Sequence, residues 1–114
     1  MAQNIGNPMI SMPASAKKGD LVEIHCLIMH PMATGLHKDE QGRFVVAEAP
    51  AHFVRTVAAS FNGKPLMTAQ WGIAVSTNPF LGFTMRAEQS GTLKIVWQDN
   101  WGGRWSAESK LAVS

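Results

Sequence analysis

Four histidines and one cysteine are the side chains of this sequence best suited to chemistry, and three of the five fall within "IHCLIMHPMATG", residues 24 to 35. Imidazole nitrogens and thiolates are common zinc and iron ligands, and a cysteine near a histidine is also the pairing of a thiol nucleophile with its base. By count, His25, His30, His37 and His52 with Cys26 match a mononuclear iron centre of four imidazoles and a thiolate. Spacing decides whether the count has meaning. In a helix Cys26 and His30 would be neighbours on one face. The alternation of Val22, Ile24, Cys26 and Ile28 reads as a strand, where positions four apart lie about 13 Å from one another at ~3.3 Å per residue. His25 then points to the face opposite Cys26. The expectation is a small buried Cys26 with a protonated, inert thiol, and histidines at the surface or in caps.

The other chemical candidates are weaker. Asp39 and Glu40 are neighbours in a charged segment, where solvation is the expected state. Gly102-Gly103 lies between tryptophans without the strand-to-helix context or lysine of a phosphate loop, and is read as a hairpin tip. Trp71, Trp97 and Trp105 suit a core, whereas Trp101 at that tip has no obvious burial and is a candidate for exposure or partner contact.

Periodicity of two must position these residues, because helical spacing is nowhere sustained and turn residues recur about every ten positions. Strands are expected at 8–12, 21–29, 53–61, 66–71, 81–87, 92–98 and 105–113, with Asn62-Gly63 as the strongest hairpin signal. Residues 31–50 suit a long exposed loop or a poorly paired hairpin. This predicts an all-β, immunoglobulin-like antiparallel β-sandwich of about seven strands. The odd face of the second strand (Leu21, Glu23, His25, Leu27, Met29, with Met32 following) is too apolar for solvent, which favours a binding partner.

Composition agrees with a globular protein. The 114 residues are 46% apolar and 16% charged, enough for a single domain over 1–114 with 1–8 as a flexible N-terminal tail. A net charge of +2 with no basic block gives no reason to expect nucleic acid. One cysteine excludes an internal disulfide framework. The start "MAQNIGNPMISMPASAKKGD" lacks a basic region followed by an apolar core, so no secretory signal is expected. The longest apolar run falls short of the ~20 residues that span a bilayer, so no membrane role is expected.

Five strings in order, "KKGDLVEIHCLIMHPMATG", "HKDEQGR", "FNGKP", "STNPFLGF" and "SGTLKIVWQDNWGGRWS", resemble the SoxZ family, with His-Pro-Met-x-Thr-Gly and Ser-x-Asn-Pro as the most specific parts. The resemblance implies a noncatalytic subunit that binds no cofactor or metal. It would pair with a SoxY-like partner whose C-terminal cysteine arm holds sulfur intermediates covalently, and other sulfur-oxidation enzymes would act on that arm transiently. It also implies periplasmic location by co-export with a signal-bearing partner. On this reading His30, Pro31, Met32, Thr34 and Gly35, with Asn78, Pro79 and Phe80, shape the partner or arm surface. The alternative is a small metal or redox protein on the same sandwich, using His25, His30, His37 or His52.

Overall fold

The computed structural model describes residues 5–33, 36–38, 40–46, 51–72, 75 and 78–114, with only the backbone path for 36–38 and 44–46. Apolar alternation does produce strands: β1 (Gly6–Ser11), β2 (Ser15–Ala16), β3 (Leu21–Met29), β4 (Leu36–Lys38), β5 (Phe44–Val46), β6 (Val54–Phe61), β7 (Lys64–Gln70), β8 (Phe80–Arg86), β9 (Gly91–Asp99) and β10 (Arg104–Val113). The seven expected strands are β1, β3 and β6 to β10. The segment expected as a loop or poor hairpin carries the short antiparallel pair β4 and β5, and β2 is a two-residue parallel addition to β10. Residues 6–8 belong to β1 rather than to a tail. No helix among the described residues is long and apolar enough to cross a membrane.

Two sheets form the immunoglobulin-like sandwich. One has the order β1-β3-β8 and the other β2-β10-β9-β6-β7. The core lies between their inner faces because each strand sends every second side chain inward. From β3 come Val22, Ile24, Cys26 and Ile28, and from β9 come Leu93, Ile95 and Trp97, all at most 2% exposed. Asn62 (φ 51°) and Gly63 (φ 81°) form the β6–β7 turn, since a two-residue hairpin that follows strand twist needs positive φ at both positions.

Strand β6 departs from the expected alternation. Its pairing with β9 slips between Val54 and Thr56, and such a bulge adds a residue and shifts which side chains face inward. Val54 is therefore fully buried and Phe53 only partly so, although Phe53 is in phase with Val57 by simple counting.

Core packing predicts two contrasting substitutions. Ile24→Ala, at a fully buried site, lowers unfolding free energy by about 2–5 kcal/mol. Leu21→Ala, at a 67% exposed site on the same strand, changes it by less than about 0.5 kcal/mol. Urea denaturation of the two variants checks both values.

Candidate functional site

Beyond the last apolar inward position of three segments stands a polar residue. His30 follows Ile28 in phase, Asp99 follows Trp97, and His52 precedes Val54. All three are buried, at 1%, 7% and 7% exposure. They meet at one end of the sandwich, where Nε2 of His52 lies 2.6 Å and Nε2 of His30 lies 3.2 Å from the same oxygen, Oδ2 of Asp99. The two imidazoles are in edge contact, and Trp105 meets His30 edge-on.

The other carboxylate oxygen holds the β9–β10 turn. Oδ1 of Asp99 accepts the backbone N–H groups of Gly103 at 2.6 Å and Trp101 at 3.1 Å. The double glycine serves this wrapping: Gly102 takes φ 87°, and a Cβ on Gly103 would stand 2.9 Å from both Asp99 oxygens. Asn100 ties the turn to the segment before β6, accepting the Phe53 N–H through Oδ1 and donating through Nδ2 to the Ala51 carbonyl. Trp101 also donates to that carbonyl through Nε1. Its ring stacks on His52 at 3.6 Å and 1° and remains 55% exposed, so one face covers the cluster while the residue is solvent-accessible.

The two most specific sequence elements also meet here. Asn78 accepts the His30 backbone N–H through Oδ1 and donates its own N–H to the His30 carbonyl. Met32 turns the chain at φ 48°, an uncommon region for a side chain of this size. Its N–H donates to Nδ1 of His30, and its Sδ accepts the Val54 N–H. Ala33 and His52 then exchange backbone hydrogen bonds.

These positions correct part of the sequence expectation. His30 and His52 are buried partners of one carboxylate, not surface or capping groups. Met32 and Pro79 are buried, so neither they nor His30 presents a side-chain surface. Asn78 and Phe80 are exposed, and Pro31 is half-buried. Thr34, Gly35 and Asp39 lie outside the described residues, as does the side chain of His37, while Glu40 is exposed. Cys26 does stay apart from the histidines. It is 2% exposed in the core, and burial pushes its thiol up to about 11 against a smaller opposing effect of a backbone hydrogen bond with Leu81. His25 faces outward against Phe80. Asp99 is absent from the sequence expectation, although the run Leu93, Ile95, Trp97 points straight to it.

His30, His52 and Asp99 offer three ligand atoms within 4.8 Å of one another, which calls for a metal test. A histidine bound to metal leaves the ligating nitrogen bare and donates through the other. Here Nδ1 of His30 accepts the Met32 N–H, so the hydrogen-bond network assigns the ring proton to Nε2, the atom facing Asp99. The arrangement is a carboxylate receiving N–H donors, and it does not fit a metal.

Charge follows the same logic. Burial pushes the His30 imidazole below its ordinary value, against the opposing hydrogen bond to Asp99. Burial alone would raise the Asp99 carboxyl, but hydrogen bonds from His52, His30 and the amides of Gly103 and Trp101 outweigh it and hold the group below the usual carboxylate value.

Comparison with known proteins adds a family and a fold. The sequence model described as sulphur oxidation protein SoxZ matches residues 10–110. No curated protein matches the sequence. The superoxide reductase (neelaredoxin) from Ignicoccus hospitalis superposes with a TM-score of 0.71 at 19% identity, covering 96% of this chain and 82% of that one. A putative superoxide reductase from Thermotoga maritima gives 0.67 at 20% identity, covering 94% and 85%. The sulfur carrier protein SoxY from Chlorobium limicola f thiosulfatophilum gives 0.62 at 16% identity, covering 94% and 78%. At such identities the likeness is one of fold.

The cluster can be tested by substitution and by pH. Asp99→Asn keeps an acceptor for the turn amides but sets an NH2 group against the imidazole N–H donors, and it lowers unfolding free energy by at least about 2 kcal/mol in urea denaturation at neutral pH. A histidine with a lowered folded value binds fewer protons folded than unfolded. Its stabilisation is therefore complete above the ordinary value of 6.5 and is lost as pH falls below it. The Asp99 contribution is lost further down, below 3.8. The urea midpoint thus falls between about pH 7.5 and 5.5, and falls less in His30→Gln; an unchanged wild-type midpoint would contradict the assignment.

Proposed function

We propose that this chain, which belongs to the SoxZ family, is the noncatalytic half of a heterodimeric carrier that presents covalently bound sulfur intermediates during thiosulfate or sulfur oxidation. The observation that carries the reading is the family match over residues 10–110. The chemistry of the described residues is consistent with it. Cys26 is the sole thiol, and it is buried with its ionisation pushed up to about 11, whereas a sulfur-carrying cysteine must reach its enzymes as an accessible thiolate. The carrier thiol therefore belongs to a SoxY-like partner, whose C-terminal arm holds the intermediates and meets the other sulfur-oxidation enzymes in turn. The complex is assigned to the periplasm, reached by co-export with that partner. Of the signature residues, His30, Met32 and Pro79 act from beneath by setting the backbone path, and Pro31, Asn78 and Phe80 act at the surface.

The second reading is a small His-ligated metal or redox protein. The nearness of His30, His52 and Asp99 favours it, as does the fold likeness to superoxide reductases; the His30 tautomer set by Met32 opposes it.

Native mass spectrometry after co-expression with a SoxY-like chain separates the two. The carrier reading expects a one-to-one complex, a sulfur adduct on the partner's arm, none on Cys26 and no bound metal. Failure to form the complex, or one stoichiometric metal ion lost in Asp99→Asn, would overturn it.

A further inference from the structure

The outer face of the three-stranded sheet carries side chains that the fold itself does not use. Cross-strand register places Met9 beside Leu27 and Leu27 beside Phe80, so these three form one row across β1, β3 and β8 on the face turned away from the core. Met9 is 47% and Phe80 62% exposed, and Leu27 between them is half-buried. In the next row Ser11, His25 and Gly82 are partners. The His25 ring stacks on Phe80 at 5.2 Å and 24°. Gly82 leaves room for that ring, because a Cβ there would stand 3.2 Å from its Nδ1. Farther along the face Glu23 reaches back to within 3.9 Å of His25, Arg86 donates to the Gly19 carbonyl, and Leu21 beside Arg86 is exposed again.

We infer that this face is where the SoxY-like partner docks, an inference that rests on the carrier reading above and gives it a location. Taking roughly 200 Å² for each large side chain, Met9, Leu21 and Phe80 leave on the order of 350 Å² in water. That is near half of the ~800 Å² that one side of a standard interface buries. The apolar row supplies the centre of such an interface, and the Glu23 and Arg86 end supplies a polar rim. The face is a sheet three strands wide. On it Met9, Ser11, His25, Leu27 and Phe80 line an open pocket of about 320 Å³, which can receive a side chain from the face of another sheet at the centre of the contact. A SoxY structure shares this fold over 94% of the chain, so a partner of that kind has a sheet face of its own to set against this one. Leu66 on β7 and Trp101 at the β9–β10 turn are exposed as well, but neither belongs to this row.

The test is affinity measured by calorimetry between the purified chain and the SoxY-like chain, with size by light scattering. Met9→Lys combined with Phe80→Lys weakens binding by at least about 30-fold, the loss expected when central anchors are removed. Both sites are exposed, and an unchanged urea midpoint confirms that the variant is folded. Leu66→Glu, on the other sheet, changes affinity by less than about 3-fold, as peripheral substitutions do. Undiminished binding of the double variant, or an equal loss in Leu66→Glu, overturns the location and leaves the carrier reading standing. If the unaltered chains do not associate, both fail. If the isolated chain is a dimer that the double variant dissociates while the partner still binds, the face belongs to a second copy and the inference is overturned.

Discussion

One buried carboxylate organises the end of this sandwich. Asp99 gives one oxygen to two imidazoles and the other to two backbone amides, and a charge taken out of water costs several kcal/mol unless such partners surround it. The requirement binds the segments together. The turn after β9 has to wrap the carboxylate, His52 has to be held under Trp101, and His30 has to be aimed by the chain that follows it. Met32 meets the last demand in an unfavourable backbone conformation, with its N–H fixing the His30 proton and its sulfur accepting the Val54 N–H.

Among the described residues, the histidines and the cysteine that looked reactive are thus committed to structure. Cys26 is core, His30 and His52 are satisfied by Asp99, and His25 supports Phe80 on the outer face. A histidine pair that donates to a carboxylate and is shielded from solvent is poorly placed for acid-base work on a substrate. What the described residues leave available is surface, chiefly the apolar row across β1, β3 and β8. This division suits a subunit that holds and orients another protein's reactive group.

The fold likeness to superoxide reductases and to SoxY shows how little the sandwich by itself says about chemistry. One arrangement of strands serves proteins of different names because binding and catalytic residues sit preferentially on the loops that a rigid scaffold positions. In this chain the end around Asp99 is closed by its own hydrogen bonds.

Strands β3, β8, β9 and β10 were legible in the sequence because alternation reports burial directly in a two-layer sandwich, and Asn62-Gly63 announced its hairpin through the positive φ it demands. Geometry along one strand also correctly separated Cys26, His25 and His30, since that needs only the rise per residue and the pleat. The same alternation, continued past Ile28 and Trp97, reaches His30 and Asp99, but the sequence expectation puts the histidines at the surface or in caps and leaves Asp99 out, and their meeting with His52 was not legible. Asp99 stands 69 residues along the chain from His30 and 47 from His52, and only strand order decides which strand ends converge. Nor does periodicity reveal the β6 bulge that turns Val54 inward, the left-handed Met32, or the row formed by Met9, Leu27 and Phe80. Alternation is a property of one strand and can be read from sequence; register and convergence are relations between strands, and the tertiary structure alone sets them.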